Sequence, residues 1–390
     1  MGEWPGDLLA VTELEASGWR PVPFQEFILK IAQRCNLACD YCYIYSSPDQ
    51  SWRDRPVFMS PATVARAATR IAEHVTRHGL GRIRVVLHGG EPLLAGVDRI
   101  TAIAAELRAA VPDGVTVDLS LQTNAVLLDE PMLHALRAAG IRVGVSLDGD
   151  ATGNDRHRRY PDGRGSHAAA VRGLRLLSRD EHRDLFSGVL CVVDLRNDPV
   201  ATYEALLEFR PPRIDLLLPH ANWAQPPLGP DGYADWLMAV FDRWFDAPAR
   251  ETGVVLFEEI ISLLLGGGSR CEQVGLSPAA FLVVDSDGSL QQTDSLKTTY
   301  PGAPETGLSV WDNDLDDALR HPAVAARQIG VRALAATCRS CPVVQVCGGG
   351  HYAHRYTPGS GFRHPSVYCR DLSRLIGHIR GRLTSRLGGS

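Results

Sequence analysis

Lysine is nearly missing from this 390-residue chain: only Lys30 and Lys297 occur among 40 basic residues, the other 38 being arginine. The bias reads as genome composition and carries no functional pointer. Positive charge is not in excess either. A net charge of −5 leaves no electrostatic footprint for nucleic acid. Long apolar runs are absent: the longest, around Ile260–Leu265, falls far short of the ~20 residues that span a bilayer. The opening MGEWPGDLLAVTELEASGW has no basic region followed by an apolar stretch, which excludes a secretory signal. These absences predict a cytoplasmic protein with neither membrane nor nucleic acid as partner.

What is present is core-forming residue and cysteine. With 45% hydrophobic residues the chain can bury a large core. Nine cysteines in a cytoplasmic setting point to metal or redox chemistry rather than disulfides. Three lie between 35 and 42, four between 338 and 369, and Cys191 and Cys271 stand apart. Cys191, on the apolar stretch GVLCVV, reads as a buried core residue.

Strand-like and helix-like segments alternate from PFQEFILKIA onward. Strands are expected at 83–88, 116–121, 142–147, 187–193 and 213–218. Helices are expected from Pro61, with Ser60 as N-cap, to about His78, then at 98–110, 130–139, 166–179 and 198–209. Six βα units imply a parallel sheet with right-handed crossovers, too few for a closed eight-stranded barrel, so the fold class expected is α/β with a partial (β/α)6 barrel. Functional residues then belong in loops at the carboxyl ends of the strands. The stretch 231–265 reads as two amphipathic helices, FLVVDSDGSLQQTDSL as a β-hairpin turning at Asp287-Gly288, and a short helix follows from about 370.

In RCNLACDYCY the cysteines Cys35, Cys39 and Cys42 stand at C-x3-C-x2-C on the loop after the first strand, with Tyr41 before the last. Three thiolates can hold three irons of a [4Fe–4S] cube and leave the fourth iron open. A structural zinc would want four closed ligands. The spacing resembles that of the radical S-adenosylmethionine (SAM) superfamily, and other segments agree in order. Gly89-Gly90-Glu91-Pro92 resembles the GGEP motif that contacts the methionine amino group. Gln122-Thr123-Asn124 resembles QTNG, with Ala125 for the last Gly. Ser146-Leu147-Asp148-Gly149 resembles SLDG, and Asn154 to Arg158 resembles HDxxR with Asn154 for His. The resemblance implies SAM bound near Tyr41, Gly89, Gly90, Glu91, Gln122, Asn124, Ser146 and Asp148, with Arg158 as carboxylate partner.

Cys338-x2-Cys341-x5-Cys347 followed by Cys369 resembles a SPASM domain, the auxiliary-cluster module of peptide-modifying members. It implies one auxiliary [4Fe–4S] cluster on those four residues; a zinc ribbon is the other reading of the spacing. The module's first auxiliary cluster expects cysteines where Thr293 and His351 stand, so with Cys271 alone that cluster is expected to be absent. Asp294 holds the place of an aspartate that acts as a base in sulfatase-maturing relatives. The expected organisation is an N-terminal segment (1–23), the barrel (24–222), bridging helices (223–268), the SPASM-like domain (269–375) and a C-terminal tail (376–390).

Residues 330–372 and DGSLQQTDSLK resemble the FxsB-type group of radical SAM/SPASM peptide maturases, and the likeness runs from about Phe24 to Leu375. It implies a cyclophane: a C–C bond from an aromatic ring to the β-carbon of a residue two positions later in a ribosomally made precursor peptide. An external electron donor is also implied. About 24 residues before the first strand are too few for a leader-binding winged helix, so leader recognition is expected at a strand edge or on a separate leader-binding protein. Formylglycine or thioether formation is the rival within enzymes; a zinc-stabilised peptide-binding adaptor is the rival outside them.

Overall fold

The computed structural model describes residues 9–229 and 232–388; the first eight residues of the expected N-terminal segment and the last two of the tail lie outside the described residues. Six parallel strands follow one another in sequence order: β1 Glu26–Ala32, β2 Arg82–Gly89, β3 Thr116–Thr123, β4 Ile141–Ser146, β5 Phe186–Val192 and β6 Arg213–Leu217. Helices Pro61–His78, Val97–Ala110, Glu130–Ala138, His167–Leu177 and Pro199–Leu207 make the crossovers. The first begins as its sequence dictates: Ser60 accepts from the Thr63 amide at 3.0 Å with Pro61 next, and Gly79 closes it in the left-handed region.

The sheet does not stop at six. β7 Gly253–Val254 adds to β6, and β8 Phe281–Val284 adds in parallel to β1. β9 Ser289–Gln291 and β10 Glu305–Ser309 then continue antiparallel, giving ten strands in the order β10-β9-β8-β1-β2-β3-β4-β5-β6-β7. With β7 and β10 as edges the barrel is open, as its six units predict. The C-terminal hairpin therefore continues the barrel sheet, which brings its turn to the barrel mouth, while the chain after β9 runs back to place Asp294 against Lys30 of β1. Arg55 fastens it there by ion pairs to Asp287 and, at 2.7 Å, to Glu305.

β1 lies inside this sheet, which explains its composition. Phe27, Leu29 and Ile31 are fully buried between β2 and β8, each worth roughly 1.5–3 kcal/mol. Lys30, between them in sequence, is fully buried too and aligned with His88 of β2. The bridging helices are Tyr233–Phe245 and Val255–Leu264. Trp236, Leu237, Val240 and Phe241 of the first are buried, so that stripe is core packing. The terminal helix is longer than its sequence suggests: Cys369–Gly388, 20 residues, packed on Tyr233–Phe245 and taking in most of the expected tail. None of the described helices is long and apolar enough to cross a membrane.

Candidate active site

The cysteine loop leaves β1 at its carboxyl end and packs under the end of β2. The Gly90 amide donates to the Ala32 carbonyl at 2.7 Å and the Glu91 amide to the Arg34 carbonyl at 2.8 Å. A Cβ on Gly90 would lie 2.0 Å from the Tyr45 hydroxyl and 2.3 Å from the Arg34 carbonyl. The close approach that this glycine pair permits is thus to the cysteine loop itself.

Cys35, Cys39 and Cys42 come together on that loop. Burial pushes the Cys35 thiol up to about 12 and the Cys39 thiol to about 11, and the neighbouring thiolates add to both. Burial raises Cys42 as well. Three thiols that repel one another once ionised need bound cations to become thiolates together, which is the donor set an iron–sulfur cube requires. The residues present fit that group.

Around the loop, the ends of β2, β3 and β4 contribute polar groups. Glu91 is buried and wholly engaged: it accepts from the Leu93 amide at 3.0 Å, the Thr123 hydroxyl at 2.7 Å and the Asn124 amide at 2.8 Å. It ties the end of β2 to the end of β3 rather than facing outward. Asn124 donates to Asn36 at 2.8 Å and stands 3.8 Å from the Cys35 sulfur. Gln122 donates to the Ser146 hydroxyl at 2.9 Å. Asp148 accepts from the Tyr41 hydroxyl and, at 2.9 Å, from the Val192 amide. Arg158 donates to Tyr41 at 2.9 Å, the one hydrogen bond its guanidinium makes among the described residues. Asn154, where the motif has His, braces this turn by accepting from the Asp148 amide at 3.4 Å.

Asp294 starts the short helix after β9 and lies 2.8 Å from Lys30 Nζ. Burial alone would raise its carboxyl, but Lys30, Lys297 and His88 outweigh burial and hold it below the usual range. Lys297 in turn lies 3.2 Å from Asp49 of the cysteine loop. Lys30, Lys297 and His88 were not legible as site residues; both lysines are fully buried here.

Cys338, Cys341, Cys347 and Cys369 also converge. Burial raises the Cys347 thiol to about 11, with Cys369 and Cys338 adding to it, and Cys369 is raised by burial and then by Cys338 and Cys341. The donor set fits a closed four-thiolate cluster. Arg355 braces the adjoining turn through the carbonyls of Gly348, Gly349 and Gly350, at 2.6–3.1 Å. Gly348 has φ +60°, and a Cβ there would lie 1.7 Å from the Gly275 carbonyl. Gly348→Ala is expected to cost about 3 kcal/mol or more and to halve the bound iron, read by thermal melting and metal analysis.

Cys271 and Thr293 line one cavity of about 620 Å³ together with Arg327, Gly348, Tyr352 and Arg355, and Cys271 is its single cysteine. Cys191 is fully buried in β5, as its apolar neighbours predict.

Residues 29–206 match the family described as Radical SAM superfamily. The chain is 29% identical over 380 residues to a serine-type anaerobic sulfatase-maturating enzyme of Klebsiella pneumoniae, covering 94% of this chain and 91% of that one. Its fold is similar to that of anSMEcpe with bound AdoMet and Cp18Cys peptide: TM-score 0.79, 21% identity, 93% of this chain and 99% of that one. It is also similar to Streptococcus suis SuiB bound to precursor peptide SuiA: TM-score 0.61, 15% identity, 92% of this chain and 78% of that one. With the three-cysteine loop at the mouth of an open parallel barrel, the chain carries a radical SAM domain over residues 29–206 and is a radical SAM enzyme.

Proposed function

We propose that the chain joins an aromatic ring to the β-carbon of a residue two positions later in a ribosomally made precursor peptide. In this reading Cys35, Cys39 and Cys42 hold one [4Fe–4S] cluster, and Cys338, Cys341, Cys347 and Cys369 hold the auxiliary one. With SAM, these groups supply a 5′-deoxyadenosyl radical that removes one hydrogen atom, and an acceptor for the electron released later. The observation that carries the reading is the Thr293–Asp294 step: a carboxylate held charged beside Lys30, with a hydroxyl where a cluster-binding thiol would otherwise stand.

The chain's own residues then have distinct tasks. Arg158, anchored by Tyr41, which itself donates to Asp148, offers its remaining N–H groups to the SAM carboxylate. Gln122, Asn124 and Ser146 present amide and hydroxyl groups to the same ligand, while Glu91 and the glycine pair hold the frame. Asp294 takes the proton that the ring must lose after the C–C bond forms. The precursor loses two hydrogens in all: one to the deoxyadenosyl carbon, one as a proton and an electron. An external electron donor would supply the electron that each turnover needs. The open edges β7 and β10 offer places for a leader to pair as an added strand, and a separate leader-binding protein is the alternative.

Arg158→Ala is expected to weaken SAM binding by roughly 10- to 100-fold, the worth of a charge-assisted hydrogen bond or two, with lysine restoring only part. Anaerobic calorimetry reads this directly.

Similarity over 94% of the chain to a sulfatase-maturating enzyme favours a second reading, oxidation of a serine to formylglycine. Both products lose two hydrogens, so intact mass does not separate them. The test is reaction of the reconstituted protein with SAM, dithionite and a short peptide encoded beside its gene. A cross-link gives no hydrazide adduct and suppresses fragmentation between ring and partner. A hydrazide adduct, or reaction only with serine-containing sulfatase peptides, would overturn the cyclophane.

A further inference from the structure

Three histidines meet between the barrel and the glycine-rich C-terminal segment. His220 lies three residues past β6, and His351 and His354 belong to the short turn Tyr352–Arg355 and its cap. One ligand nitrogen from each lies within 4.8 Å of one from each of the others. Their ring centroids are 4.8, 5.2 and 5.8 Å apart. His351 and His354 are buried, and His220 is half-buried.

Their nitrogens are poorly used by the protein. His220 Nδ1 and both nitrogens of His354 are buried with no hydrogen-bond partner. A neutral imidazole carries one donor and one acceptor, so His354 leaves both unmet in a dry environment. His351 has only a 3.3 Å contact from the Ala353 amide to Nδ1, and its Nε2 faces the Glu272 carboxylate at 4.0 Å.

Neutral rings can take a cation. Burial keeps the rings neutral, pushing His220 and His351 down to about 3 and His354 well below its usual value, so their lone pairs are open at neutral pH. The Arg327 and Arg355 guanidiniums act in the same direction on His351, but each is engaged elsewhere, Arg327 with Glu272 and Arg355 with backbone carbonyls.

We propose that His220, His351 and His354 bind one zinc ion, with water completing the shell. Three imidazole nitrogens and no carboxylate in the set exclude magnesium and calcium, and three protein ligands with an open fourth position suit zinc. Tetrahedral bonds of about 2.0 Å place ligand atoms about 3.3 Å apart, so the nitrogens close in by small rotations of the rings. The ion joins the end of β6 to residues more than a hundred positions later in the chain. It also stands one ring from the cysteine loop, because the Tyr43 ring meets His220 edge-on at 5.2 Å.

The test uses the full chain, purified anaerobically with its clusters and equilibrated with zinc alone. Metal analysis is expected to find about one zinc per chain, with zinc-edge X-ray absorption showing nitrogen near 2.0 Å and no sulfur near 2.3 Å. A His351→Gln, His354→Gln double variant is expected to lose the zinc and keep its iron. Less than about a tenth of an equivalent in the parent protein, or a sulfur shell, would overturn the proposal. So would zinc retained in full by the double variant. If that variant does not fold, the ligand shell of the parent protein decides alone.

Discussion

Cys35→Ala is expected to lower deoxyadenosine formation by more than about 10³-fold and to remove about four of about eight irons per chain. The loss follows from ligand count. With two thiolates the loop cannot close three corners of a cube, and no other cysteine stands near to take the place. Folding is expected to survive, because the Cys35 sulfur makes only weak hydrogen bonds among the described residues: it accepts from the Leu37 amide at 3.4 Å and from Asn124 at 3.8 Å, and lies 3.8 Å from the Asn36 side-chain oxygen. Mass spectrometry of the nucleoside and iron analysis read the two effects separately. Cys369→Ala is the control: it is expected to lose the other irons and keep deoxyadenosine. Both variants retaining full iron would sink the assignment of cubes to these cysteines.

The second large effect is at Asp294. Asp294→Asn is expected to lower cross-linked product by about 10²- to 10⁴-fold, the range for loss of a positioned proton acceptor, while deoxyadenosine continues to form. The same change leaves Lys30 buried and unpaired, at a cost of about 3–5 kcal/mol. Lys30→Met should cost a similar amount by stranding the carboxylate. The double variant Lys30→Met, Asp294→Leu is expected to recover most of the stability and none of the product. Recovery of product by the double variant would assign Asp294 a structural role only. The pH dependence follows from the direction of each shift. The depressed Asp294 carboxyl contributes stability above the unfolded aspartate value of about 3.9 and loses it as pH falls through the folded value. The raised Lys30 amine contributes fully below its unfolded value and loses that as pH rises through its folded one. The pair is therefore intact across the neutral range, and its loss is read best by melting temperatures near pH 7.

Much of this site is local in sequence and for that reason was legible. Cys35, Cys39 and Cys42 share one loop, and each polar motif follows a strand whose β-branched run announces it. The open barrel follows from counting those units. Contacts between distant segments were not legible. Lys30 and Asp294 are 264 positions apart and meet because β8 joins β1 in parallel, a pairing that no local pattern encodes. The side-chain partners of Glu91 were hidden for the same reason: the close approach of β2 and β3 gives its oxygens three donors within the protein. His351 was visible only as a departure from a cysteine pattern. Its proximity to His220 depends on how the C-terminal turn sits over β6.

The scarcity of lysine has a practical consequence. Lys30 and Lys297 are the two lysines of the chain, and both have no exposed surface. An acylating ester therefore finds no lysine side chain on the folded molecule, and lysine-directed cross-linking cannot map a docked peptide. The same reagents become a clean probe of opening. Acylation at Lys30 or Lys297 requires the hairpin and the cysteine loop to part, so its rate measures how often the barrel mouth comes undone.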